Sequence, residues 1–464
     1  MRRKYDSSEE QFYQKCVKPA ALAIGLPECA GFLLFENACE IRLALTNLEA
    51  KRNDKMEEEM HKGKWIFKLI LTVVLGLRWS LAWAQFPNNP TWTTFLKAGD
   101  IIGGVVVGAM EGLTGDDNGN FYVADRGDDT TNNDTCHVWR INYNTGIVDL
   151  VGQIEADPCR PSGLARGSNG DLFITTAEGG GIIYQLTPNA TNPGGALGLV
   201  YATGVPGANG VAFLGTDLFV TDGVQNMGRV WKIASCATLP CLAVEFFRIQ
   251  PMRNSTALGG NVLTQPDGVG SVRYTVPRHN TASPTITDRQ DLVANGVAFS
   301  ADRKYIFVAD TARGAIWRAE LKGNGDLKSD TGCDPTFHFN TLCMDSLYVA
   351  HPLLEGVDGI ILLTDGTILA SVNERNAIVA VAPDKSVADV FRNAADGSFL
   401  RNGDGSQQRP LEFPTSPFAS GKRFCTTNAD TPRRDNTPNE SGEGQKVNCL
   451  DQNLMGSGLP LPIQ

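Results

Sequence analysis

Short runs of alternating hydrophobic and polar residues fill most of this chain, and the runs recur in one phase. The unit reads polar residue, Gly, three or four mostly apolar residues, a turn, then an alternating stretch ending in Asp, Thr or Ser. It stands at 111–125 (EGLTGDDNGNFYVAD), 162–176 (SGLARGSNGDLFITT), 209–222 (NGVAFLGTDLFVTD), 295–310 (NGVAFSADRKYIFVAD) and 358–371 (DGIILLTDGTILAS). A worn copy is SPFASGKRFCTTN at 416–428. Each copy predicts a strand, a tight turn built on residues such as Asp-Asn-Gly or Thr-Asp-Gly, and a second strand. An outer hairpin follows, as in GRVWKIAS and GAIWRAEL. Four-stranded units repeating about every 40–50 residues are the signature of propeller blades, none of which can bury both faces alone. The aligned glycines 112, 163 and 210 are 51 and 47 residues apart, whereas the steps 210 to 296 and 296 to 359 are 86 and 63 and require insertions. The larger insertion is the polar stretch Pro251–Asp291. The pattern therefore predicts an all-β chain forming a six-bladed β-propeller, with Thr91–Val106 supplying strands that close the ring.

The residue before each aligned glycine is Glu111, Ser162, Asn209, Asn295, Asp358 and Ser416. Equivalent positions of successive blades surround one axis, so these side chains are expected to converge. The six positions hold two carboxylates and two carboxamides but no Lys or Arg. Carboxylates crowded on one axis repel unless a positive charge lies between them. Ca²⁺ takes six to eight oxygen ligands at about 2.3–2.6 Å, which suits Glu111, Asn209, Asn295 and Asp358 completed by water or substrate. Mg²⁺ or Mn²⁺ are the alternatives, and zinc is disfavoured because the ring has neither His nor Cys. Ser162 and Ser416 are expected to line the pocket and touch substrate.

The first 84 residues of the chain change the picture of location. Residues 60–84 carry a basic flank (Lys62, Lys64, Lys68), an apolar core over Leu69–Leu77 and a small-x-small site at Ala82-Trp83-Ala84. That is the layout of a secretory signal peptide. A signal anchor spanning 65–84 is the runner-up, weakened by Arg78, since a mid-membrane charge costs about 2.5–3.5 kcal/mol. Residues 1–59 read as an extension, disordered or partly helical, and 85–464 as the propeller, with its core at about 105–430. Either way the propeller is expected outside the cytosol, secreted or membrane-anchored. Of the 11 cysteines, 16, 29 and 39 precede the signal and eight follow it. An even number in an exported domain reads as disulfides, and the close couples Cys136/Cys159, Cys236/Cys241, Cys333/Cys343 and Cys425/Cys449 are the expected pairs. Sequons at Asn133, Asn189, Asn254 and Asn439 fit the same route. A net charge of −10 argues against nucleic-acid binding, and a monomer is expected. His137, His279, His338 and His351 read as structural or solvated. The Gly-x-Ser-x-Gly, Walker and His-Glu-x-x-His patterns are all missing.

MEGLTGDDNGNFYVAD, ANGVAFSADRKYIFVADTARGAIWRAEL and GVDGIILLTDGTILAS together resemble the family of SMP-30, gluconolactonase and luciferin-regenerating enzyme. The resemblance covers roughly 105–430. It implies a metal-dependent six-bladed propeller hydrolase in which a Glu of the first blade, an Asn of the third, an Asn of the fourth and an Asp of the fifth hold the metal. Those positions fall on Glu111, Asn209, Asn295 and Asp358. The resemblance also implies hydrolysis of a lactone or related ester, with Asp358 as general base or nucleophile. This chain departs from the sugar-lactone pattern at Gly210, where many members have Asp, and at Gly207, where they have Arg. Two other readings stay open: a secreted, calcium-stabilised propeller that binds a ligand or partner without turnover, and a strictosidine-synthase-like enzyme.

Overall fold

The computed structural model describes residues 92–451 except 127–134, 157, 177–180, 225–226, 251–252, 256–261, 265–291, 336, 393–399, 402–406, 409, 421–422 and 431–443. The extension 1–59, the segment 60–84, His279, the sequons at Asn133 and Asn439 and most of the 251–291 insertion lie outside the described residues. Among the described residues no helix is long and apolar enough to cross a membrane.

The alternating runs become antiparallel strands, as their β-branched and aromatic content dictates. The first meander is Met110–Gly115, Asn120–Asp125, Thr135–Asn142 and Val148–Glu155. The second is Pro161–Arg166, Leu172–Thr176, Ile182–Leu186 and Leu199–Thr203. The third is Ala208–Leu214, Asp217–Asp222, Arg229–Ile233 and Cys241–Arg248. These last two join into one eight-stranded sheet through a short parallel pairing of Ala202 with Cys241 and Thr203 with Leu242. The fourth meander runs from Val297–Phe299 to Leu347–Ala350, and the fifth from Val357–Leu362 to Val387–Arg392. The last comprises Pro414–Ser420, Arg423–Asn428 and Lys446–Asp451, and its fourth strand is Trp92–Lys97 from the N-terminal side. That strand pairs antiparallel with Lys446–Asp451 and ties the two ends of the described chain together.

The buried apolar residues divide into clusters, each shared by neighbouring meanders. Tyr122 and Val138 of the first pack with Leu164 and Ile174 of the second. Phe173 packs with Val220, Phe219 with Trp317, Phe307 with Ile360 and Leu369 with Phe424. The circle closes where Phe418 and Cys449 of the last meander meet Met110 and Phe121 of the first. Burying such a side chain contributes about 1.5–3 kcal/mol, so every meander depends on two neighbours for its core. The first strands of successive meanders touch in the same cyclic order.

Every second strand but that of the fifth meander, which ends in Val372, ends in a buried polar residue. Asp125 accepts from Trp139 Nε1 at 2.6 Å and Asp310 from Trp317 Nε1 at 3.0 Å, tryptophans of the adjacent third strands. Asp222 takes the same place with Trp231 at 3.4 Å. An unpaired carboxylate there would carry a large desolvation cost, so the recurring terminal Asp is a structural tether. All four expected disulfides are formed: Cys136–Cys159, Cys236–Cys241, Cys333–Cys343 and Cys425–Cys449. Cys425 and Cys449 face each other across neighbouring strands of the closing meander.

Candidate functional site: a ring of oxygen donors at one end of the axial cavity

The ring positions owe their placement to an irregularity repeated in the first strands. Pairing register shifts at Glu111/Leu113, Pro161/Gly163, Ala208/Val211, Val357/Ile360 and Pro414/Pro417. A bulge of this kind bends a strand and re-aims a side chain. In the fourth meander the strand begins only after Asn295-Gly296, although the Asn295 N–H still bonds to the Ala309 carbonyl at 3.0 Å.

The glycine that follows is required by crowding. A methyl group on Gly210 would overlap the Asn295 carbonyl oxygen, and one on Gly296 the Asp358 carbonyl oxygen. Neighbouring first strands therefore approach backbone to backbone at the ring, and only glycine permits it. Threonine hydroxyls fix the same points. Thr175 Oγ1 donates to the Asn209 carbonyl at 2.5 Å, Thr221 Oγ1 to the Asn295 carbonyl, and Thr311 Oγ1 to the Val357 carbonyl at 2.6 Å.

Ser162, Asn209, Asn295, Asp358 and Ser416 line one cavity of about 130 Å³. It continues along the first strands past Val211, Phe213 and Phe299 to Arg166. Asn295 is 2% exposed and Asp358 7% exposed. Glu111 does not line this cavity, yet its charge is felt by Asp358. Burial pushes the Asp358 carboxyl well above the usual carboxylate range, and the Glu111 carboxylate pushes it in the same direction; hydrogen bonds from Asn373 and Asn295 pull it partly back. The Glu111 carboxyl is likewise raised by burial, against the lowering effect of Arg126.

Two residues near the ring were absent from the sequence reading. Asn373 Nδ2 donates to Asp358 Oδ2 at 3.0 Å, while Asn373 Oδ1 is buried without a hydrogen-bond partner. The guanidinium of Arg126 forms an ion pair with Glu111. The ring positions themselves hold no Lys or Arg, as expected, and Arg126 brings a guanidinium to Glu111 from outside them. It stands just past the end of a second strand, Asn120–Asp125, outside the repeat phase of the first strands. Asn373 follows the second strand of the fifth meander, near the place where Asp125, Asp222 and Asp310 end theirs. That recurring polar terminus was the available signal.

The donor set fits a hard divalent cation. It offers two carboxylates, of which Glu111 raises the proton affinity of Asp358, and carboxamides at the phase-equivalent positions, with an unsatisfied amide oxygen beside Asp358. Among the described residues no three His, Cys, Asp or Glu side chains gather into a metal-binding group. Half of this donor set is carboxamide, which such a group would not include. The described histidines stay apart from the ring: His351 Nδ1 accepts from the Leu353 N–H at 3.1 Å, His338 contacts Asn340, and the His137 N–H is bonded to Asp125.

No family model matches the chain, and no curated protein matches it. Solved structures do resemble it. A putative gluconolactonase is 12% identical with a TM-score of 0.46, covering 81% of this chain and 96% of its own. Regucalcin, a calcium-binding protein from Agrobacterium tumefaciens, is 13% identical with a TM-score of 0.45, covering 80% of this chain and 95% of its own. Luciferin-regenerating enzyme is 13% identical with a TM-score of 0.44, covering 81% of this chain and 99% of its own. These belong to the same group that the sequence motifs resemble. At such identities and scores the likeness carries no argument about metal or substrate.

Proposed function

We propose that the meanders are the six blades of a β-propeller and that the protein is an exported, calcium-dependent hydrolase of lactones or related esters. The observation that carries this reading is the ring itself. Residues from different blades, far apart in the chain, bring Asn209, Asn295 and Asp358 to one end of a single cavity, with Glu111 close enough to raise the proton affinity of Asp358. Glu111, Asn209, Asn295 and Asp358 would hold the cation, with Mg²⁺ or Mn²⁺ as its alternatives. When bound, it would supply positive charge to the carbonyl oxygen of a scissile ester.

The chain's own residues divide the remaining work. Asp358 would take a proton from the attacking water or attack the carbonyl carbon itself. Asn373, donating to Asp358 Oδ2, holds that carboxylate in one orientation. Ser162 and Ser416 border the cavity where substrate would lie. The apolar side chains Val211, Phe213 and Phe299 further along exclude water and favour an organic group over bulk solvent. Export is supported by the signal-like 60–84 segment and by the four disulfides, which belong to oxidising compartments. The test is calcium titration of the purified protein followed by an ester and lactone panel. Calcium binding with chelator-sensitive hydrolysis agrees with the proposal. Calcium-dependent stability without turnover of any panel member would replace it with the non-catalytic, calcium-stabilised propeller.

A further inference from the structure

Glu111 is already engaged. Its carboxylate is ion-paired with the guanidinium of Arg126, and both side chains are largely shielded, at 14% and 31% exposure. Arg126 is well placed to stay there. Its backbone N–H bonds to the Ala109 carbonyl at 2.6 Å, next to the strand that carries Glu111. The preceding Asp125 is fixed by Trp139 Nε1 at 2.6 Å and by the N–H groups of Gly108 at 3.1 Å and His137 at 3.0 Å. The backbone on which Arg126 stands is thus anchored, and its side chain turns toward the ring.

A guanidinium on a carboxylate and a divalent cation on that carboxylate are competing arrangements. Both positive charges would lie within a few ångströms of each other in a shielded site, where repulsion is strong. Without the cation, removing Arg126 would leave Glu111 without its ion-pair partner while its charge still acts on the buried Asp358 carboxyl. We propose that Arg126 is a built-in counter-ion: it occupies the Glu111 arm of the cation site while the cation is away, and it must leave that carboxylate when the cation binds. The inference rests on the ring being a cation site. It gives Arg126 opposite effects on the two forms of the protein. It stabilises the cation-free form and weakens cation affinity. A residue that merely positioned Glu111 would strengthen binding instead.

Isothermal titration of the full chain with CaCl₂ separates these roles without any assay of turnover. Arg126→Met keeps an apolar stem and removes the charge. Its calcium Kd should be about tenfold tighter than that of the unaltered protein, the size of effect expected when a neighbouring opposite charge is removed from a carboxylate. Its melting temperature should fall in EDTA and be unchanged in saturating calcium. Arg126→Gln is a second neutral variant should the Met form fail to fold in EDTA, and Arg126→Lys should stay close to the unaltered protein. Unchanged or weaker calcium binding in both neutral variants, while the unaltered protein binds, would overturn the counter-ion role and leave the cation site standing. If neither the unaltered protein nor the variants bind calcium, magnesium or manganese, the cation-site reading falls, and the counter-ion role with it.

Discussion

Asp358 is the side chain on which the proposed chemistry rests. It lies at the cavity wall, accepts from Asn373, and is kept at high proton affinity by burial and by Glu111. Asp358→Asn keeps an oxygen donor but removes the proposed base or nucleophile. Steady-state kinetics should show kcat lower by about 100-fold or more, while calcium affinity from titration changes far less. Full activity in this variant would end the assignment. The pH dependence follows from the same residue. A carboxyl whose folded pKa lies above its ordinary 3.8 contributes stability that is fully present below about pH 4 and is lost as pH rises through the folded value. In EDTA the melting temperature should therefore fall as pH rises through that window. In the proposed site calcium would bind the ionised carboxylates, so the stabilisation it confers should grow over the same window. Melting curves with and without EDTA check both trends. Asn373 and Arg126 were not legible beforehand because they act through side-chain reach from the ends of second strands. Only the repeat phase of the first strands could be read from the chain.

Strands carry the site because the same local device recurs. A register shift turns the ring residue, the glycine after it admits the neighbouring backbone, and a threonine of the preceding meander bonds to the carbonyl at or beside the ring residue. Gly296→Ala would press a methyl group against the Asp358 carbonyl. Urea unfolding should show a loss of about 1–3 kcal/mol, as for other overpacked sites, and calcium binding should weaken because Asp358 must shift. The repeated Asn-Gly-Val-Ala-Phe was legible as strand and turn, and the glycine's periodicity announced its importance. Its reason, the close approach of another strand 86 residues away, becomes visible only in three dimensions. The Asp that ends the units at 111–125, 209–222 and 295–310 had no assigned role in the sequence. Its tryptophan partners explain it, and Trp317→Phe should cost about 1–3 kcal/mol by leaving a buried Asp310 without one of its donors.

The described part of the chain closes on itself through a strand taken from its N-terminal side. Trp92–Lys97 completes the last meander, and Cys425–Cys449 joins the two strands beside it. Replacing both cysteines by Ser should lower unfolding free energy by about 2–4 kcal/mol, read by urea titration under oxidising conditions. The cyclic order of the meanders was legible because each first strand repeats one phase, and the close cysteine couples marked local staples. The insertion at 251–291 interrupts that phase and carries no repeat of its own, so its contribution to substrate choice could not be read from the chain. What the ring does for the molecule is the central claim. It is tested most directly by hydrolysis of a lactone and ester panel by the purified protein, before EDTA, in EDTA, and after calcium is restored. The account predicts turnover of at least one panel member that disappears in EDTA and returns with calcium. Hydrolysis indifferent to the chelator, or calcium binding with no turnover of any ester or lactone, would contradict it.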